Sequence, residues 1–144
     1  MRLTTFSDYT LRVLIYLALD RPKLATIPVI AAAYGISENH LMKVVFQLAR
    51  AGVVESIRGK GGGIRLALPP EEIRLGRIVR ASEGEAPIVE CLGDDPGACR
   101  IHPACPLKCI LVRAFDALYD TLDEYTLADL VANQRGLKKF LMVA

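Results

Sequence analysis

The chain has 144 residues, with 18 Lys plus Arg against 16 Asp plus Glu and a formal net charge of +2. A hydrophobic share of 52% and a charged share of 24% exclude a disordered chain, and the length suits one compact domain, or a small domain with a helical extension, that folds without disulfides. No run approaches the ~18 apolar residues of a spanning helix, MRLTTFSDYT lacks a signal peptide's apolar core, and a Trp-free chain with 6% aromatics is poorly equipped to stack single-stranded bases, so a soluble, cytoplasmic protein with no membrane partner is expected.

Phe6 to Leu19 reads as a helix, because Phe6, Tyr9, Val13, Leu14 and Leu17 recur at helical spacing. Ser7 or Thr5 is the expected cap, and Arg21-Pro22 the expected end. Asp8 and Arg12, four apart, share another face of this helix. Thr26 then caps a second helix that runs to Tyr34, with Pro28 tolerated in its first turn. Gly35 stops it, and Ser37 opens a third helix that runs to Ala51 with an inner stripe of Leu41, Val44, Val45 and Leu48. A short helix, a turn beginning with Gly and a longer helix make a helix-turn-helix.

Val53–Arg58 reads as a strand, and Ile64, Leu66 and Leu68 alternate with Arg65 and Ala67 as a second. The Gly-Lys-Gly-Gly-Gly run between them must turn, and Arg58, Lys60 and Arg65 surround it. Two strands with a basic Gly-rich tip, directly after a helix-turn-helix, make a winged helix. The glycines fit neither a Walker loop nor a dinucleotide fingerprint, since no Gly-Lys-Ser/Thr is present and a strand follows. Residues 1–70 hold nine Lys or Arg against four Asp or Glu, and residues 71–144 hold nine against twelve. A basic first half suits a polyanion. On the third helix, Asn39 and His40 are the candidate base-edge contacts, with Ser37 and Lys43 on phosphate. Arg58, Lys60 and Arg65 suit wing contacts to backbone or minor groove.

Pro69-Pro70 marks a boundary, and Glu71–Ser82 reads as a helix with Ile73, Ile78 and Val79 inward. An irregular stretch follows, and a long helix begins near Pro106. Its stripe of Leu107, Leu111, Ala114, Leu118 and Leu122, widened by Ile110 and Phe115, is expected to pack on a partner subunit, because a module of this size reads two half-sites as a dimer. A further helix is expected over Leu127–Asn133, and the tail to Ala144 is apolar enough to pack back.

All four cysteines lie between Cys91 and Cys109, with seven, five and three residues between successive ones. No Cys-x-x-Cys occurs, so a zinc ribbon, a thioredoxin-like centre and a bacterial ferredoxin run fit poorly. Gly93, Pro96 and Gly97 let the loop fold around a bulky object, and Cys105 sits at a helix N-terminus that favours a thiolate. Three thiolates on such a loop suit an iron–sulfur cluster. Cys109, His102 or a carboxylate from another segment is a candidate fourth ligand. His102 is also an alternative zinc ligand or a solvated loop imidazole, and Cys109 is alternatively a buried helix thiol.

Four segments carry a resemblance: MRLTTFSDYTLRVLIYLA, YGISENHLMKVVFQLARAGVVESIRGKGGGIRLA, CRIHPAC and LDEYTLADLV. Through them the chain resembles the Rrf-type winged-helix regulators over essentially its whole length, and among these their nitric-oxide-sensing repressors. The resemblance implies a mainly α fold, with a winged helix-turn-helix domain carrying a two-stranded wing and a long C-terminal dimerisation helix. The expected divisions are 1–82 for DNA binding, 83–105 for the cluster loop, and 106–144 for the dimerisation helix and tail. It also implies a homodimeric repressor that binds double-stranded operator DNA and releases it when nitric oxide nitrosylates a 4Fe-4S cluster. The implied ligands are Cys91, Cys99 and Cys105, completed by Asp8 of the partner subunit, which falls in the family's Phe-Ser/Thr-Asp-Tyr motif. Cys109 falls outside that pattern. A carboxylate beside three thiolates leaves one iron less firmly held and open to a diatomic gas.

Alternatives are a winged-helix regulator of iron–sulfur or redox status, and a zinc-bound or cluster-free one. A thiol catalyst using Cys105 or Cys109 leaves the winged helix idle and has no general base paired to it, so no enzyme is expected.

Overall fold

The computed structural model describes residues 2–21, 23–84, 87–94 and 99–141. Helices α1 (Thr5–Leu19), α2 (Ile27–Tyr34) and α3 (Glu38–Arg50) come first, then strands β1 (Val54–Ile57) and β2 (Gly63–Leu66). Helix α4 (Leu75–Glu83), the long α5 (Leu107–Asp123), the single-turn α6 (Leu127–Leu130) and α7 (Gln134–Leu141) complete the order. Among the described residues the chain is mainly helical, with one two-stranded antiparallel sheet. No helix among the described residues is long and apolar enough to cross a membrane.

Helix α1 is the central element. Its Val13, Leu14, Leu17 and Leu19 are buried and meet Ile30 of α2, the Leu41/Val44/Val45/Leu48 stripe of α3 and Ile78 of α4 in one core. Each such side chain contributes about 1.5–3 kcal/mol by leaving water. The cap of α1 is neither Ser7 nor Thr5. Thr4 Oγ1 accepts from the Ser7 backbone N–H at 3.2 Å, while Ser7 is fully buried and accepts from Ser82 of α4 at 2.8 Å. Pro22, the expected stop, lies outside the described residues, and the helix is already capped at Asp20.

Thr26, Gly35 and Ser37 punctuate α2 and α3 as expected, with Gly35 in the left-handed conformation at φ 64°. The strands are shorter than their apolar runs. They pair from Val54 opposite Leu66 to Ile57 opposite Gly63. A bridge from Ala25 to Ile64, with bonds of 3.0 and 2.8 Å, fastens the wing to the segment before α2. The tip turns through Gly59 and Gly61 at φ 101° and 77°, where a side chain would be strained.

The helix expected over Glu71–Ser82 is interrupted. A 3-10 turn spans Pro70–Glu72, Ile73 adopts ψ 97°, and α4 begins only at Leu75. The break serves pairing with the chain that returns after α5: Leu127 N–H donates to the Ile73 carbonyl at 2.9 Å and Leu75 N–H to the Tyr125 carbonyl at 3.1 Å. Likewise, the helix expected over Leu127–Asn133 is one turn, closed by a capping box between Thr126 and Asp129, with α7 after it. Leu127 and Val131 enter the core, and Leu137 and Leu141 pack against it. The last residues of the tail, 142–144, lie outside the described residues.

Helix α5 therefore projects between two returns to the core. It crosses α4 at Gly76, where a Cβ would lie 2.4 Å from the Tyr119 carbonyl oxygen. No residue of α5 is buried. Leu111, Phe115, Leu118 and Leu122 are half-buried against its own chain, whereas Leu107, Ile110 and Ala114 are exposed.

Candidate nucleic-acid interface and thiol loop

Burial of one stripe of α3 against α1 turns the opposite face outward. Ser37 is the N-cap and its side chain makes no capping bond. Ser37, Asn39, His40 and Lys43 are all exposed. They do not form one line. Asn39 and Lys43 lie on the outermost stripe, while the His40 ring turns toward α1 and stands 6.0 Å from the Tyr9 ring. Gln47, further along, ties the helix to α4 by donating to the Ala81 carbonyl at 3.0 Å.

Arg58, Lys60 and Arg65 are exposed on the wing. Arg65 sits opposite Glu55 in the strand register and forms an ion pair with it. Its charge is thereby partly neutralised, whereas among the described residues Arg58 and Lys60 are in no ion pair. The latter two are the wing's stronger candidates for phosphate.

Asp8 occupies the first turn of α1 and is half-exposed. Arg12, one turn on, grips it with Nε 3.0 Å from Oδ1 and a terminal nitrogen 2.8 Å from Oδ2. The guanidinium lies 5.8 Å from the centroids of both Tyr9 and Tyr34. Burial pushes the Tyr34 phenol up to about 12, against the opposing pull of Arg12. Asp8 is thus held in place by a cation bracketed between two rings, one of which, Tyr9, stands beside His40 of α3.

The thiol segment is built from short turns. Cys91 lies in a 3-10 turn over Glu90–Leu92. From Cys99, the His102 N–H donates to the Cys99 carbonyl at 3.1 Å, and the Cys105 N–H donates to the His102 carbonyl at 3.4 Å, so two linked turns connect Cys99 to Cys105. Cys105 is not on the long helix. Pro106 is the N-cap, and Cys105 precedes it in extended backbone. Cys91, Cys99 and Cys105 are free and half-buried, while Cys109 is exposed rather than a buried helix thiol. Pro96 and Gly97 lie outside the described residues.

Three soft thiols on a segment without long regular structure suit an iron–sulfur cluster in donor chemistry. Among the described residues, no three His, Cys, Asp or Glu side chains stand together as a metal set. Among the described residues, the single chain presents these donors without assembling them.

A family model described as Rrf2, iron-dependent transcriptional regulator, matches residues 3–133. The HTH-type transcriptional regulator NsrR of Bacillus subtilis is 50% identical over 142 residues, covering 98% of this chain and 97% of its own. Its namesake in Bacillus licheniformis is 46% identical, covering 98% and 99%. Among solved structures, CymR, the global cysteine regulator of B. subtilis, superposes with a TM-score of 0.73 at 33% identity, over 92% of this chain and 98% of that one. IscR of T. potens gives a TM-score of 0.73 at 26% identity, over 92% and 88%.

Proposed function

The chain belongs to the Rrf2 family of iron-dependent transcriptional regulators, and on that premise we propose that it is a cytoplasmic, homodimeric repressor whose hold on operator DNA is released by nitric oxide. Residues 1–82 read the duplex, 83–105 carry a 4Fe-4S cluster on Cys91, Cys99 and Cys105, and 106–144 pair the subunits through α5. Asp8 of the partner subunit completes the ligand set. When bound, the cluster supplies iron that reacts with the gas.

One observation supports this reading above the others. Asp8 is held on the same short chain of contacts that ends at the reading helix: Asp8 to Arg12, Arg12 to the Tyr9 ring, and Tyr9 to His40 of α3. A carboxylate tied to the other subunit through this path would fix the attitude of one α3 relative to its partner's. When the tie is lost, the two helices no longer match half-sites one helical turn apart. A mismatch of a few kcal/mol is enough, because about 4–10 kcal/mol separates specific from non-specific binding.

A cluster-free regulator is the second reading, favoured by the ungathered thiols. Iron and acid-labile sulfide analysis of protein purified without air separates the two. Cys91→Ala, Cys99→Ala and Cys105→Ala are each expected to abolish the brown chromophore, and Cys109→Ala to retain it. Iron-free wild-type protein from an anaerobic preparation, or loss of colour in the Cys109 variant alone, contradicts the ligand assignment.

A further inference from the structure

Asn39, Lys43, Phe46 and Arg50 follow one another at spacings of four, three and four, so they form a single outward stripe along α3. The buried stripe of Leu41, Val44, Val45 and Leu48 faces the other way. Phe46 is therefore no part of the core. It is 65% exposed, and Met42 beside it is 53% exposed. The Arg50 guanidinium stands 5.8 Å from the Phe46 ring centroid. These side chains, with Phe6 at one edge, line an open groove along the helix that, among the described residues, contains two cations and no anion.

The charge selects the occupant. An apolar ring between Lys43 and Arg50 suits a partner that is anionic at its edges and offers an apolar spot at its centre. Duplex DNA has that chemistry in the major groove, where phosphates flank the C5-methyl group of thymine. We propose that Phe46 is a specificity-determining residue that packs on a thymine methyl, while Lys43 and Arg50 hold the flanking phosphates. This rests on the DNA-binding reading above and adds a base contact beyond Asn39 and His40. Phe46 lies seven residues from Asn39, about 10 Å along the helix. The thymine is thus expected on the order of three base pairs from the position that Asn39 reads.

The test uses the full-length protein and the duplex it selects from a random pool. Each thymine of the selected half-site is replaced in turn by deoxyuridine, which removes only the methyl group. At one position per half-site, wild-type affinity is expected to fall about fourfold, the value of one buried methyl. Phe46→Ala is expected to bind thymine and deoxyuridine duplexes equally, Phe46→Leu to keep part of the preference, and Asn39→Ala to keep all of it. Circular dichroism checks that the variants fold. Wild-type protein indifferent to every deoxyuridine, or a Phe46→Ala variant that still discriminates, overturns the proposal and leaves DNA binding standing. A Phe46→Ala protein that changes mass in solution yet keeps its discrimination also overturns it, since a second copy then occupies the groove. Failure to select any sequence removes the DNA-binding reading itself, and this proposal with it.

Discussion

Glu83, the last residue of α4, binds Thr4, the cap of α1: one carboxylate oxygen accepts from the Thr4 backbone N–H at 2.8 Å and from its hydroxyl at 3.1 Å. With the buried Ser7–Ser82 bond alongside, this closes the seam that positions the first turn of α1, and therefore Asp8. Burial opposes ionisation of Glu83, but the hydrogen bonds from Ser7 and Thr4 outweigh it and hold the carboxyl below its ordinary range. A depressed carboxyl stabilises the fold above its unfolded value, and the contribution disappears as pH falls through the folded one. Thermal unfolding followed against pH is expected to show an acid limb below the ordinary glutamate range. Glu83→Gln is expected to flatten that limb, and a variant with the same slope as wild type contradicts the assignment.

Asp8 and Arg12 are 48% and 40% exposed, so their ion pair contributes under about 1 kcal/mol to folding. Asp8→Ala is therefore expected to leave Tm nearly unchanged while altering the absorption or circular dichroism of the cluster and weakening operator binding. Mixed dimers locate the effect. With one subunit lacking Asp8 and the other lacking Cys99, the single remaining cluster still receives Asp8 from its partner and is expected to look native. A perturbed spectrum in that heterodimer shows that Asp8 acts within its own chain or not at all.

The winged helix was legible because its signals are local. Thr26, Gly35 and Ser37 mark helix ends within a residue of where they fall, and the α3 stripe needs only period to be seen. What escaped was set by distant partners. Local sequence suggests Ser7 or Thr5 as the cap of α1, and Thr4, bound by Glu83 79 residues away, takes the place instead. The break at Ile73 exists to meet Leu127. The outward stripe of α3 continues past its N-terminal end through Phe46 and Arg50, and their places seven and eleven residues after Asn39 are the sequence signal for it.

Lys60 and Asn39 are expected to fail differently. Lys60→Ala should weaken binding to all duplexes alike and reduce the salt slope of log affinity by about one. Asn39→Ala should relax preference at particular base pairs at a cost of about 1–3 kcal/mol. Competition binding over a range of salt distinguishes them, and equal affinity of wild type for operator and random duplex at matched salt contradicts base reading by Asn39 and the repressor reading with it.

Helix α5 leaves Leu107 and Ile110 at 54% and 58% exposed. Because Ile110 lies outside the core of its own chain, Ile110→Glu is expected to preserve helical circular dichroism while shifting sedimentation from dimer to monomer. A dimer that survives this substitution places the subunit contact elsewhere.

Nitric oxide titration of operator binding tests the proposed regulation most directly. Protein purified without air is bound to its selected duplex, the gas is added in steps, and affinity is compared with that of protein stripped of iron by a chelator. Affinity is expected to fall by about 10³ or more, to the non-specific level, in wild type, and the iron-free protein is expected to bind weakly with or without the gas. Unchanged operator affinity after the cluster's absorption has been lost to nitric oxide contradicts the account.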